Sequence, residues 1–590
     1  MLVTETTVWI SPFGFSLNDY CAEKKYELIK KYKNYIKGIV LYSVSKSYHY
    51  INLASTIANI NDGFVPVTET VKNKLEENGI VFAEEKTIDI RNLAYTGEHD
   101  IYEYLYDNYW KKCTKRILMS LCPGSLREDG TVGGQQIPNR DIAAAVGAAV
   151  IFCDVRKDEG KKQYEKFLQS MADNGDSSVV LGWYTNERDG ITSATKFGVP
   201  TVPADFFWSG SVYSGMDHLI KPPPVPERGA LENKVYIALY MSDGDNIQYC
   251  QRSLFNMWDS VKADRGKIAI NWTIAPSLAD IAPGILNYLY GISTDKECFV
   301  TGPSGAGYIM PYNSEGDKPQ DYLKDPEYAD RYARMTEIYL KKSGIRVITV
   351  WDGMNETVRK AYEKHCRNLY GVTIQDWNNH KTPEVKASVE NNRLKFDLLR
   401  QCYTGKYDVV YKGITDEFRK WDGKSPLFAA YQMVAWSADI NTSQMVKMEA
   451  ALRAAFPDIK FEFVRADHYF SYYNEFNGLP FNLCMLSSVK KTSCENYLQF
   501  DFGKDYSLNR YVLRHGLSGN CKSWKVETSD DGTTWTTVDI YRNNTSIITD
   551  IDIDPVIARY ARITMLEPDG TKVDSIAEVE IYGKNITQAL

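Results

Sequence analysis

The sequence predicts a multidomain protein of α/β and all-β parts: an N-terminal α/β block, a central distorted β/α barrel of about seven strands, and a C-terminal β-sandwich. Three observations predict it. The chain has 590 residues, too many for one hydrophobic core, because cores stop growing near ~250–300 residues. Prolines crowd the KPPPVP stretch at 221–226, and proline fixes φ and removes backbone donors, so this stretch reads as an extended linker. Apolar runs alternate with helical patterns as far as Tyr473 and give way beyond it to short alternating strands, a change from helical to two-residue period. The expected units are residues 1–95, 96–225, 226–473 and 474–590.

In the N-terminal block the branched runs at 38–42, 116–121, 148–153 and 178–183 read as strands, with helical patterns such as 164–171 between them. Strands alternating with helices predict parallel sheets, here two small α/β units with a break near residue 95. After the linker, strands are predicted at 235–240, 267–272, 298–300, 346–350, 408–411, 427–431 and 461–464. The helices between them are predicted at 248–261, 277–290, 326–342, 356–367, 384–402 and 443–456. Buried strands separated by helices over about 240 residues suit a β/α barrel; an open doubly wound sheet has the same pattern. The last segment predicts strands at 497–502, 510–515, 524–528, 560–565 and 578–582, with a turn at 529–532.

Composition narrows the function. No apolar run reaches the ~20 residues that span a bilayer, so no membrane partner is expected. Lys+Arg 69 against Asp+Glu 76 gives a net charge of −7 and no basic stripe, so no nucleic-acid partner is expected either. Tyr (41) and Trp (12) are abundant; most belong in cores, and the surplus suits sugar-binding surfaces, where rings offer flat apolar faces. The 11 cysteines are scattered, without CxxC or zinc-site spacing, and the first residues lack a basic-then-apolar leader. A cytoplasmic protein is expected with Met1 as its native start, and a secreted one if a leader has been trimmed. Nothing in the sequence sets an oligomeric state.

In a β/α barrel, function collects at the C-terminal strand ends. The segments that follow the predicted strands are SDGDN (242–246), TIAPS (273–277), TGPSGAGY (301–308), WDGMNE (351–356), YQ (431–432) leading to Trp436, and RADH (465–468). Carboxylates, amides and rings together suit a polyhydroxylated ligand. In SDGDN, Gly244 permits a tight turn that aims Asp243 and Asp245 at the mouth. Three readings are open for this pair: acid/base work on a glycosidic bond, a hard-metal site, or an Asx turn capping the next helix. The glycines of 302–307 lack phosphate-loop spacing, so no nucleotide is expected. Glu187, in LGWYTNE (181–187), also ends a strand.

The segment GAGYIMP (305–311), together with SDGDN, NWTIAPSLAD (271–280), GPSGAGY, LGWYTNE and PADFFWSGS (203–211), resembles the GxGYxYP family of glycoside hydrolases, whose name is itself a prediction of activity. The motif residues are Gly305, Gly307, Tyr308 and Pro311, and Met310 stands where the motif has its second tyrosine. The stretches NYLQFDFGKDYSLNRYVL, SWKVETSDDGTTW, ARYARI and EVEIYG resemble a discoidin-type (coagulation factor type C) domain, which implies a jelly-roll sandwich that commonly binds carbohydrate. The family's usual early stretch is replaced at 482–496.

The leading expectation is a glycoside hydrolase acting on an oligo- or polysaccharide, with Asp243 and Asp245 as the carboxylates at the bond and Glu187 as the next candidate. Substrate contacts are expected from Asn246, Trp272, Gly305, Gly307, Tyr308, Trp351, Asp352, Trp436 and His468. No cofactor is expected, and no clear motif supports a calcium ion. A metal-dependent carbohydrate deacetylase or esterase, and a non-catalytic glycan-binding protein, are the alternatives.

Overall fold

The computed structural model describes residues 25–126, 132–133, 138–204, 207, 209–216, 219–313, 320–375, 395–516, 521–566 and 576–586. The branched run Gly38–Tyr42 (β1) is buried throughout and pairs in parallel with Phe64–Thr68 (β2) and Thr87–Asp89 (β3). A second parallel sheet joins Ile117–Ser120 (β4), Ala149–Ile151 (β5), Val179–Gly182 (β6) and Thr201–Pro203 (β7) in the order β5-β4-β6-β7. The helix Tyr50–Asn59 lies between the two sheets. Its buried Thr56 hydroxyl accepts from the Val150 N–H at 2.9 Å, so a helix side chain completes the bonding of a strand end.

Beyond the linker, nine parallel strands form one curled sheet. They are Val235–Met241 (β8), Ile270–Ile274 (β9), Glu297–Thr301 (β10), Val347–Trp351 (β11), Gly371–Gln375 (β12), Lys395–Leu398 (β13), Gln401–Thr404 (β14), Leu427–Met433 (β15) and Phe461–Phe463 (β16). Their spatial order is β13-β12-β11-β10-β9-β8-β15-β14, with β16 on β8. The sheet is a half-barrel: among the described residues its edge strands β13 and β14 do not pair with each other. At β8 the ladder forks. β16 pairs with Val235–Ile237, while β9 pairs only with Tyr240 and Met241. Buried Asn271 fills the fork, donating to the Leu239 carbonyl at 3.0 Å and accepting from the Ala466 N–H at 2.6 Å. Backbone groups that the fork leaves open are met this way.

Two expected elements are corrected. Residues 408–411 are not a strand; they open the helix Tyr407–Lys420, whose buried Val410, Ile414 and Phe418 recur every four residues, a helical period that outruns the short apolar run. Residues 384–402 are not one helix: 384–394 lie outside the described residues, and β13 and β14 occupy most of the remainder. Pairing at the two sheet edges outweighs local propensity there. β12, unread in the sequence, supplies the next strand beyond β11.

The C-terminal part is an antiparallel sheet consistent with a β-sandwich: Phe481–Asn482 (β17), Lys490–Ser493 (β18), Tyr497–His515 (β19), Trp524–Ser529 (β20), Thr536–Tyr541 (β21), Ile548–Met565 (β22) and Ile576–Asn585 (β23). The two strands expected at 497–502 and 510–515 are one long strand, broken in register near Gly503 and Asn509. It separates two small cores, one around Phe500 and Leu508, the other around Tyr511 and Trp524. No described helix is long and apolar enough to cross a membrane.

Charges bind the sandwich to the half-barrel. Buried Arg346 reaches Glu578 at 2.9 Å and Glu580 at 2.6 Å. Arg367 contacts Asp550 and Asp552, and Arg510 grips the same Asp550 at 2.7 Å while donating to the Arg367 carbonyl. Removing one partner of a buried pair strands the other in low dielectric. Arg346→Ala is therefore expected to destabilise the protein by about 3 kcal/mol and to separate the unfolding of the sandwich from that of the half-barrel in a urea titration followed by tryptophan fluorescence; a single unshifted transition would contradict it.

Candidate functional site

The C-terminal ends of β8, β9, β10, β11, β12 and β15 face the end of β6 and the start of the helix Glu187–Thr195 across a cavity of about 430 Å³. Its wall includes Glu187, Asp243, Asp245, Tyr308, Trp351 and Tyr403, with Trp183 and Trp436 as further rings. The N-terminal block thus contributes to the same cavity as the half-barrel.

Local chemistry fixes the carboxylates. Asp243 sits at φ +69, a left-handed conformation that non-glycine residues seldom adopt outside tight turns and functional sites. Gly244 follows because nothing larger fits: a Cβ there would lie 1.5 Å from the Thr273 carbonyl oxygen. Thr273 ties the turn down, its hydroxyl accepting from the Gly244 N–H at 3.0 Å and donating to the Met241 carbonyl at 2.7 Å. The Asp243 carboxylate accepts from the Tyr403 hydroxyl at 2.9 Å and from the Ser242 hydroxyl. Across the cavity, the Tyr308 hydroxyl donates to Glu187 Oε1 at 2.9 Å. Trp351 packs edge-on against both tyrosines, its centroid 5.7 Å from the Tyr308 ring and 6.1 Å from that of Tyr403.

Tyr308 is placed by backbone. Its N–H donates to the Thr201 carbonyl at 2.7 Å and its carbonyl accepts from the Thr201 N–H at 3.0 Å, a two-bond bridge between the glycine loop and β7. A Cβ at Gly307 would lie 2.9 Å from the Thr201 carbonyl oxygen, and one at Gly305 would lie 2.7 Å from the Tyr332 and Thr336 oxygens. Both glycines therefore serve close packing, and neither lines the cavity.

Electrostatics separate the acids. Burial, then the charges of Asp243 and Glu187, push the Asp245 carboxyl well above the ordinary aspartate range. Glu187 opens onto the cavity, yet the protein crowding its carboxyl raises its pKa; Asp243 adds to the rise, while Tyr308 and Arg188 oppose it. Among the described residues, no group of three or more His, Cys, Asp or Glu side chains is placed to hold a metal ion.

Of the residues singled out in the sequence, Asp243, Asp245, Glu187, Asn246, Tyr308, Trp351 and Trp436 meet at the cavity. Three others, besides the glycines above and Pro311, do not line it. Trp272 neighbours Thr273 on β9, and successive strand residues face opposite ways: Thr273 faces the cavity, whereas Trp272 is buried against Trp258. Asp352 is buried behind the wall, 3.8 Å from Arg188. His468 donates through Nε2 to the Pro226 carbonyl at 2.8 Å, pinning the linker. Met310 does line the cavity, accepting a hydrogen bond on Sδ from Arg188 at 3.4 Å. Sequence reasoning missed Tyr403, Arg188 and Gln375. The branched run GVTIQ that ends in Gln375 carried a strand signal; Tyr403, just past a segment read as helix, carried none.

Family models match three parts of the chain: "GxGYxYP putative glycoside hydrolase C-terminal domain" at residues 233–474, "GxGYxYP_N second domain" at 36–113 and "GxGYxYP third domain" at 136–215. An F5/8 type C domain matches residues 485–579. The fold is similar to that of a solved structure described as a "putative hydrolase" from Bacteroides thetaiotaomicron VPI-5482, at 20% identity and TM-score 0.63, covering 80% of this chain and 87% of that one. Shorter likenesses are to the family 32 carbohydrate-binding module of Streptococcus pneumoniae EndoD (21% identity, TM-score 0.14, 16% of this chain and 75% of that one) and to a Clostridium perfringens module in complex with GalNAc-β-1,3-galactose (17%, 0.14, 15% and 67%). A search of curated proteins found no match.

A carboxyl held above its ordinary range binds more protons folded than unfolded, so it costs stability once pH rises past its unfolded value near about 4. Asp245→Asn removes that cost. Its Tm is expected to exceed that of the native protein at about pH 7, with the gain closing toward about pH 4; a Tm series across that window that shows no gain at the neutral end would contradict it.

Proposed function

We propose, for a chain that belongs to the GxGYxYP family and carries an F5/8 type C domain, that it cleaves a glycosidic bond of an oligo- or polysaccharide in the cavity at the strand ends. The observation that supports this reading is the pair Glu187 and Asp243, two carboxyl groups facing one cavity, each held by a tyrosine hydroxyl at 2.9 Å. Glycoside hydrolysis needs one carboxyl protonated and one ionised at the same pH. Glu187, raised by its surroundings, gives its proton to the leaving oxygen as the C–O bond breaks. Asp243, fixed by Tyr403 and Ser242, stabilises the developing positive charge on the sugar or activates the water whose oxygen completes the product; that water's second proton restores the acid. Asp245, kept neutral, donates to a sugar hydroxyl. Trp351, Trp183 and Trp436 supply apolar faces for the sugar ring. The sandwich holds the glycan near the cavity as an accessory binding domain.

A mass-spectrometric time course on mixed oligosaccharides, including N-acetylated ones, is expected to show loss of whole sugar units; loss of acetyl alone would replace this reading with a deacetylase. Glu187→Gln should lose about 10²–10⁴-fold on natural substrates but keep most activity on aryl glycosides whose leaving group needs no proton. Asp243→Asn should lose activity on both. Near-native turnover by Asp243→Asn would overturn the assignment.

A further inference from the structure

A second cavity, of about 330 Å³, lies where the half-barrel meets the sandwich. Its size falls at the lower end of the range for small-molecule sites. Both domains build it: Arg367, Ser471 and Asn474 come from the half-barrel, and Asn509, Arg510 and Asp552 from the sandwich. The charges in its wall already have protein partners. Arg367 pairs with Asp550 and Asp552, Arg510 with Asp550, Glu363 with Arg359 and Lys364 with Asp330.

Neutral groups therefore remain to meet a ligand. Ser471 and Asn474 stand three apart on the helix Ala466–Phe476 and so share a face. Asn474 Nδ2 donates to the Tyr370 carbonyl at 3.1 Å, which fixes the amide so that Oδ1 is the acceptor. Asn474 is only 4% exposed, and that oxygen has no partner among the described residues. The Ser471 hydroxyl accepts from Arg228 Nε at 2.8 Å and keeps its own proton to give. On the sandwich side, Asn509 Oδ1 is likewise buried and unmet. Both ladders of β19, to β22 and to β23, break register at Asn509; such a break re-aims a side chain and is common beside functional sites. A buried acceptor without a donor costs stability. Two acceptors and a hydroxyl are answered by a ligand whose own hydroxyls both give and take hydrogen bonds, and the rings of Phe481 and Tyr582 add apolar surface for its carbon skeleton.

We propose that this junction cavity is a second binding site, distinct from the cavity at the strand ends, for a sugar of about monosaccharide size whose hydroxyls donate to Asn474 and Asn509 and accept from Ser471. Its two acceptors belong to different domains, so the ligand binds the docked arrangement and holds sandwich and half-barrel together. The site is independent of any chemistry at the strand ends.

The full-length protein is titrated calorimetrically with glucose, galactose, mannose and N-acetylglucosamine and with their methyl glycosides, and hydrogen exchange is followed with the tightest of them. At least one sugar is expected to bind, to slow exchange in residues 363–370, 471–482 and 509–510, and to raise the Tm as its concentration rises. Asn509→Ala, made where the register is already broken, should keep the fold by circular dichroism and weaken binding about tenfold; Ser471→Ala should weaken it in the same direction. A methyl glycoside that binds as tightly as the free sugar assigns the site to the end of a glycan, and binding of the free sugar alone assigns it to a soluble one. Exchange slowed only around Glu187 and Asp243, an affinity unmoved in Asn509→Ala, or no binding of any of these sugars overturns the proposal.

Discussion

The two backbone hydrogen bonds between Thr201 and Tyr308 are the constraint on which the site depends. They are the point where the edge of the N-terminal sheet meets the glycine loop after β10, so they set the distance between Glu187 on one side and the SDGDN turn on the other. Gly307 makes them possible, since any side chain would meet the Thr201 carbonyl. Neighbouring contacts keep the same register: the Met310 N–H donates to Thr195 Oγ1 at 3.0 Å and Arg331 donates to the Ala172 carbonyl at 2.6 Å. A site assembled from two separate sheets needs such rigid joints, because a displacement near 1 Å is costly to chemistry that relies on orientation.

Charge is placed differently at the two domain junctions. Between half-barrel and sandwich the buried charges are paired among the described residues: Arg346 with two glutamates, Asp550 with two arginines. Desolvation consumes most of what such pairs gain, so their contribution is orientation more than stability. At the cavity burial raises Asp245 and Glu187, and the neighbouring acids add to the rise. Structural ion pairing would have lowered them, as it lowers Asp550 beside Arg367 and Arg510. Carboxyls without a cationic partner in a concave wall, next to paired ones in the same molecule, mark the cavity as the candidate functional site.

Much of this was legible in the sequence. VYIALY reads as a buried parallel strand on any scale, and the residues after it, Asp243 to Asn246, follow because function lies at strand ends in such folds. Glu187 was reachable by the same rule applied to β6. The half-barrel's edges were not legible: β13 and β14 are held by neighbours distant in sequence, and period alone does not distinguish an edge strand from a helix. Tyr403 was lost with them. Trp272 shows a subtler limit. Its strand was recognised, but which of two adjacent side chains faces the cavity is a question of parity, and shifting the assignment by one residue exchanges Thr273 for the tryptophan.

Met310 shows how such a site can vary without being dismantled. The residue stands where the motif has its second tyrosine, and its backbone is held by Thr195 whatever the side chain. Its thioether is a weak acceptor and an adaptable apolar filler. It therefore takes one donor from Arg188 without competing with Asp352 for the charge, and it presents sulfur to the cavity in place of a phenol. A tyrosine at this position would add a hydroxyl to a wall whose other hydroxyls are already committed to Glu187 and Asp243. That hydroxyl would be free to donate to the ligand. The methionine leaves those two carboxylates with their existing partners, so polarity at this one position is adjustable independently of Glu187 and Asp243.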